Sequence, residues 1–218
     1  MTKSLSQPGY DPGCRDCPRL AAFLDEVGKS CAGYHARPVP PFGPQRAQLL
    51  VVGLAPGMHG ANRTGRPFTG DYAGILLYAT LHKFGFANHA GSDHSGDGLE
   101  LLNCRITNAV KCLPPQNKPQ PDEIRRCNHY LVEEIAAARP RAILALGAIA
   151  HRAVLMAFGL TPGTRQFAHH AVHEFPASGT RLFDSYHCSR YNTQTKRLTP
   201  SSFEAVVRDI ATFLRGAP

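Results

Sequence analysis

The stretch "AQLLVVGLAPGMHGANRTGRPFTGDYAGILLYATLHKFG", residues 47–85, decides the fold. Residues 47–56 are a short apolar run closed by glycine and proline, which reads as a buried strand. Residues 72–85 place apolar side chains at helical intervals and stop at Gly85. Strand, glycine-bearing loop and helix together predict the start of a βαβ unit.

The rest of the chain follows the same alternation. Upstream, "LAAFLDEV" (20–27) has helical spacing and ends before the proline-rich "RPVPPFGP". Downstream, 87–103 reads as an irregular excursion, and "CRITNAVKC" (104–112) as a second strand with a stiff exit loop. Pro121, Asp122 and Glu123 suit the first turn of a helix running to about Ala138. Residues 140–159 give strand, glycine turn and helix, and "HAVHEF" and "TRLFDSYH" form a weaker pair beside or within the sheet. Thr199 and Pro200 open a last helix with Phe203, Val206, Val207, Ile210 and Leu214 on one stripe. The expectation is one domain over 1–218, a three-layer α/β/α sandwich around a mostly parallel four-stranded sheet. Ligands of such folds lie beyond the carboxyl ends of the strands. Loops 53–71, 108–120 and 187–197 gather there.

With 218 residues the chain can bury a core large enough for a sheet covered on both faces. No apolar run approaches the 18 residues of a membrane span, and the first residues carry no hydrophobic signal, so a cytosolic protein is expected. The 24 Lys and Arg against 16 Asp and Glu leave a net charge of +8, which suits a polyanion such as DNA or RNA, or else a solvated basic surface. Seven cysteines without an export signal do not read as a disulfide framework. "CRDC" sets Cys14 and Cys17 two residues apart, and Cys112 and Cys127 form a wider pair. A metal or cluster site is the favoured reading, against unligated thiols. Cys31, Cys104 and Cys188 remain as substitutes for any member of that quartet.

The loop 53–71 fails the test for a nucleotide-binding loop: no Lys-Ser/Thr pair follows its glycines, and no good G-x-G-x-x-G is present. Gly53, Gly57 and Gly60 suit close backbone approach instead. Phe68 is either core or a ring for stacking on a base. Asp71 is either the N-cap of the following helix or a carboxylate that orients water, two roles that compete for the same oxygens. His187 can donate to an oxygen whose negative charge grows in a reaction, and Asn108 can pair with a donor and an acceptor or satisfy backbone groups. Arg190, Lys196 and Arg197 suit phosphates or a solvated face.

"GLAPGMHGANRTGRPFTGD", "TNAVKC" with "LPPQNKP", and "HCSRYNTQT", with four spaced cysteines, resemble the iron–sulfur uracil-DNA glycosylases, above all the family 5 or B-type branch of bacteria and archaea. The resemblance runs from about Cys14 to the last helix. It implies a parallel sheet between helices and a damaged base flipped out of DNA into a pocket. It implies a 4Fe-4S cluster on Cys14, Cys17, Cys112 and Cys127 that tethers the N-terminal segment. Phe68 corresponds to the stacking ring, Asn108 to the reader of the uracil edge, His187 to the donor to uracil O2, and Asp71 to the catalytic carboxylate. Gly53, Ala55, Gly57, Asn62, Ser189, Arg190 and Asn192 fall in the loops that grip the flipped nucleotide. Ala55 stands where many relatives outside the B-type branch carry an acidic or amide side chain. Being inert, it shifts the catalytic role to Asp71 and loosens strict uracil selectivity.

The implied activity is monofunctional hydrolysis of the N-glycosidic bond of uracil, and of bases such as hypoxanthine, to leave an abasic site. The implied partner is DNA, double-stranded with a damaged or mismatched base and also single-stranded, met by a monomer near the nucleoid. Two rivals stand beside it: a zinc-bearing nucleic-acid-binding protein without catalysis, and a hydrolase of free nucleosides.

Overall fold

The computed structural model describes residues 9–216. Helix α1 (Pro18–Ser30) starts on a proline at its first position. Strand β1 (Leu49–Gly53) leads through a four-residue helix α2 (Ala61–Thr64) into α3 (Tyr72–Lys83). Strand β2 (Cys104–Asn108) is followed by a 3-10 turn at Pro115–Asn117 and by α4 (Pro121–Ala138). Then come β3 (Ala142–Leu146), α5 (Ala148–Ala157), the hairpin β4 (Val172–Phe175) and β5 (Thr180–Ser185), α6 (Arg190–Gln194) and α7 (Pro200–Arg215). Among the described residues no helix is long and apolar enough to cross a membrane.

The sheet has the order β2-β1-β3-β5-β4, with β2, β1, β3 and β5 parallel and β4 antiparallel at the edge. The four expected parallel strands are present, and β4 adds a fifth. That strand is short and mostly exposed, so it lacks the apolar run that marks its neighbours. Alternate residues of β1 serve opposite faces. Leu49 and Val51 pack with α3 and α7, while Leu50 and Val52 pack with α4 and α5. A third apolar cluster joins α1 to α4 through Leu20, Leu24, Val27 and Tyr130.

β2 is shorter than the strand expected over 104–112. It stops at Asn108, and Lys111 N then donates to Cys127 Sγ at 3.3 Å, turning the chain toward α4. In mid-strand the buried Arg105 pairs with the buried Glu134 of α4, an ion pair that no hydrophobic pattern announces.

Parallel register gathers the loops at one edge. Gly53 aligns with Asn108, and Leu146 with Ser185, so segments 54–71, 109–120 and 186–199 all leave the same side of the sheet. A crevice at that side is the usual ligand position in open α/β sheets.

Candidate active site

The floor of the crevice is set by the last residue of β1. A Cβ on Gly53 would stand 2.4 Å from Asn108 Oδ1 and 2.7 Å from Phe68 Cζ, so no other residue lets both side chains close over the strand end. Phe68 reaches that position with a left-handed backbone (φ 52°) at 5% exposure. Its neighbours hold it there. Tyr78 OH donates to Pro67 O at 2.7 Å, and the buried Arg66 binds Asp97 with both terminal nitrogens, at 2.9 and 2.6 Å. Arg66 Nε also donates to Thr69 Oγ1 at 2.8 Å, and its guanidinium covers Phe42.

Asp71 opens α3. Its Oδ1 accepts from Gly74 N at 2.9 Å, and its side chain also lines the crevice. Oδ2 lies 2.4 Å from where a Cβ on Gly60 would be, so the glycine at 60 leaves room for the carboxylate. Burial raises the Asp71 pKa, against the lowering effect of backbone donors Gly74 and Ala73.

From β2, the Asn108 amide enters the crevice with Oδ1 buried and without a hydrogen-bond partner among the described residues. A buried acceptor of this kind is costly unless a ligand satisfies it. The Asn108 carbonyl accepts from the buried Lys111 Nζ at 3.1 Å. The opposite wall is His187, whose ring centre lies 5.7 Å from that of Phe68 at a 31° tilt. Its ring keeps some surface open to the crevice but is otherwise enclosed, and this burial lowers its pKa to about 4. At neutral pH it is an uncharged imidazole with one N–H to donate. Asn192 Nδ2 donates to His187 O at 2.8 Å, and Ser189 Oγ caps α6 on Asn192 N.

Ala55, Gly57, Phe68, Asp71, Asn108, His187 and Ser189 together line a cavity of about 420 Å³, within the usual ligand-site range of about 300–1,000 Å³. Gly53 lies beneath it. Asn192 acts on it through the His187 carbonyl, and Asn62 is fully buried behind it with neither amide atom paired among the described residues. Arg190 stands outside, over the Tyr72 ring at 5.1 Å, in a groove of about 560 Å³ that adjoins the cavity along Asp71 and Tyr72.

Leu54, Ala61, Tyr72, Ala73 and Asn117 also line the cavity and escaped the sequence reading. Asn117 reaches the cavity from a loop in which Gln116 and Asn117 both have φ 56°. The signal was present in "PPQNKP", because asparagine between prolines is a residue that tolerates a left-handed turn.

The cysteines separate into two sets. Cys14, Cys17, Cys112 and Cys127 line one small cavity beside Tyr130. Burial pushes the Cys17 thiol up to about 11, assisted by Cys127, Glu123 and Cys14, and burial with the other three sulfurs also raises Cys112. Cys31 lies at the far end of α1 from Cys17, Cys104 starts β2, and Cys188 is buried beside His187.

Fold and site define a three-layer α/β protein with a crevice where an aromatic ring, a neutral imidazole and a half-buried carboxylate meet. The family model of the uracil DNA glycosylase superfamily matches residues 40–211, and the chain belongs to that superfamily. It is similar to a Type-5 uracil-DNA glycosylase of Thermus thermophilus, with 46% identity over 90% of this chain and 91% of the relative. A Type-5 uracil-DNA glycosylase of Pyrobaculum aerophilum is 44% identical over 91% of this chain and 88% of its own. A Type-4 uracil-DNA glycosylase of Archaeoglobus fulgidus is 31% identical over 77% and 79%.

Proposed function

We propose that the protein removes uracil from DNA by hydrolysing its N-glycosidic bond and leaves an abasic site. The observation that carries this reading is the unpartnered Asn108 Oδ1 in a cavity shared by Phe68, the neutral His187 and Asp71. Uracil offers an N–H for that oxygen and a carbonyl for the amide N–H₂ beside it. Its ring stacks on Phe68, and His187 donates to O2, where negative charge collects as the bond breaks. A donor placed in this way is worth about 2.7–4 kcal/mol in oxyanion sites. As the C1′–N1 bond breaks, its electron pair leaves with the base. Asp71 faces the positive sugar, orients water and takes its proton as oxygen bonds to C1′.

Flipping the base out of the stack costs a few kcal/mol and least at mismatches, so U·G pairs and single strands are the easier substrates. Arg190 and Arg63, in the groove beside the cavity, are placed for the phosphates that offset this cost. The inert Ala55 leaves space for other deaminated bases such as hypoxanthine. We read the chain as one domain that acts as a monomer, in a bacterial or archaeal nucleoid.

Cys14, Cys17, Cys112 and Cys127 would hold the 4Fe-4S cluster. Four cysteines around one zinc ion stand about 3.8 Å apart. Among the described residues no three of these sulfurs come within 4.8 Å of one another, a spacing that suits a larger inorganic core. When bound, the cluster would cross-link α1, the β2 exit and α4, and the hydrolysis proposed above needs no electron from it.

Incubation with labelled DNA bearing one U·G pair, followed by alkali, tests the reading. Strand scission at the uracil is expected, with hypoxanthine, thymine mismatch and single-stranded substrates giving the order of preference. Intact DNA after incubation with iron-loaded protein overturns it.

A further inference from the structure

A second buried polar group lies behind the pocket and takes no part in the chemistry above. His151 of α5, His173 of β4 and Asp184 of β5 meet beneath the sheet edge. His151 Nδ1 is 2.9 Å from Asp184 Oδ1, and His173 Nε2 is 3.0 Å from Asp184 Oδ2. The other His151 nitrogen, Nε2, is 3.0 Å from the carbonyl of Arg165.

Hydrogen-bond chemistry fixes the protons. A carbonyl only accepts, so His151 Nε2 carries hydrogen. A neutral imidazole then has a bare lone pair on Nδ1, facing a carboxylate oxygen at hydrogen-bond distance. The contact needs a proton between them, and imidazole is more basic than carboxylate by more than two pH units in reference peptides. That proton belongs to the ring. His173 needs only the one N–H that its Nε2 points at Oδ2.

We infer that His151 is a buried imidazolium, and that the chain His151–Asp184–His173 positions His187. This rests on the glycosylase reading of the pocket. The mechanical link is short. His151 N donates to Gly147 O at 3.0 Å, and Gly147 is left-handed (φ 101°), with the site of its missing Cβ 3.8 Å from His187 Cβ. Gly147 N donates to Ser185 O at 2.8 Å, the residue after Asp184. Residues 147, 151, 184 and 185 therefore close a ring in which the ion pair ties α5 to the end of β5, and His187, two residues beyond Ser185, lies beside Gly147. Asp184 is also held along its backbone, by His170 N at 2.8 Å and to Ala171 O at 2.9 Å.

The groups facing His151 are Asp184 from β5, His173 from β4, the Arg165 carbonyl and Phe167 ring from the loop, and Arg152 on α5. Burial lowers the His151 pKa, while the Asp184 hydrogen bond and charge and the Arg165 carbonyl raise it, and the net direction is upward. The ion pair is fully formed below the ordinary histidine pKa and dissolves as pH rises through the folded value.

The test uses the iron-loaded protein with ¹⁵N-labelled histidine. Long-range ¹H–¹⁵N correlation at pH 7 is expected to show both His151 nitrogens protonated. Asp184→Asn keeps the shape but not the charge. It should convert His151 to the neutral Nε2–H form and slow single-turnover uracil release by about 10- to 100-fold, as small misplacements do, with DNA affinity within twofold. His173→Gln, which still donates to Asp184, should restore near wild-type turnover where His173→Phe does not. The His173 pair decides the matter if Asp184→Asn does not fold. An unprotonated Nδ1 in the wild type overturns the charge assignment. Wild-type turnover in Asp184→Asn and His173→Phe overturns the positioning role. Stoichiometric zinc uptake lost in His173→Phe shows a metal in place of the proton and also overturns it. Wild-type protein that leaves uracil in DNA defeats the glycosylase reading while the spectrum of His151 still stands.

Discussion

Asp71 Oδ1 accepts the Gly74 amide at 2.9 Å while Oδ2 is turned toward Gly57 and Gly60. The carboxylate therefore caps α3 with one oxygen and presents the other to the cavity. The cap that the sequence offered is present, and it leaves the second oxygen available for the catalytic role proposed above.

Replacing Asp71 by Asn separates them. Asn caps helices as well as Asp, so the fold should persist, while single-turnover uracil release falls by about 10²–10⁴, the usual contribution of a general base. Burial raises the Asp71 pKa, so ionisation of this group opposes folding. That penalty begins near the unfolded value of about 3.9 and is complete above the folded value. Calorimetry at pH 7 should therefore give the variant an equal or higher Tm. A lower Tm with retained turnover would return Asp71 to a capping role alone.

Gly53→Ala places a methyl group against Asn108 Oδ1 and the Phe68 ring tip, at 2.4 and 2.7 Å. Overpacking of this kind costs about 1–3 kcal/mol. The expected result is a lower denaturation midpoint and weakened capture of the flipped base, read as a raised half-saturating DNA concentration in single-turnover assays.

His187, held near pKa 4 by burial, is uncharged throughout the physiological range. In the proposed mechanism it acts as a donor and not as a cation. His187→Gln supplies a neutral donor and should keep more activity than His187→Ala, which loses about 10²–10³-fold. The rate of the wild type between pH 6 and 9 should show no step attributable to this ring.

Asp97→Ala strands the buried Arg66 guanidinium. Removing one partner of a buried pair costs about 3–5 kcal/mol, and Phe68, two residues further on, loses its anchor. Urea denaturation measures the first effect, and substrate capture the second. The sign with pH is fixed by the Asp97 carboxyl, which the Arg66 hydrogen bond holds well below its ordinary pKa. Its stabilisation is present above the unfolded carboxylate pKa and is lost as pH falls toward the folded value.

The fold was legible wherever burial follows a period. The buried runs of β1 and β3 and the Phe203-to-Leu214 stripe of α7 are continuous apolar signals, and the structure keeps them. The antiparallel β4 was faint because an edge strand buries little. Glycine spacing marked the pocket loop, since close approach leaves a compositional trace. Asn117 left only the turn-prone "PPQNKP" around it: that composition allows its left-handed backbone but does not say that the side chain reaches the cavity. The His151–Asp184–His173 group was illegible for a related reason. Its members lie on three elements, separated by 22 and 11 residues, and only the sheet order brings them together.

The glycine at position 74 ties Phe68 to Asp71. A Cβ there would lie 2.0 Å from the Phe68 carbonyl, and the same residue's amide anchors Asp71. The ring and the acid therefore share one datum, the first turn of α3, and a tilt of that helix carries both together. The wall formed by Asn108, Asn117 and His187 belongs to other loops. Substitutions in those loops can therefore reshape that wall without changing the distance between the Phe68 ring and the Asp71 carboxylate.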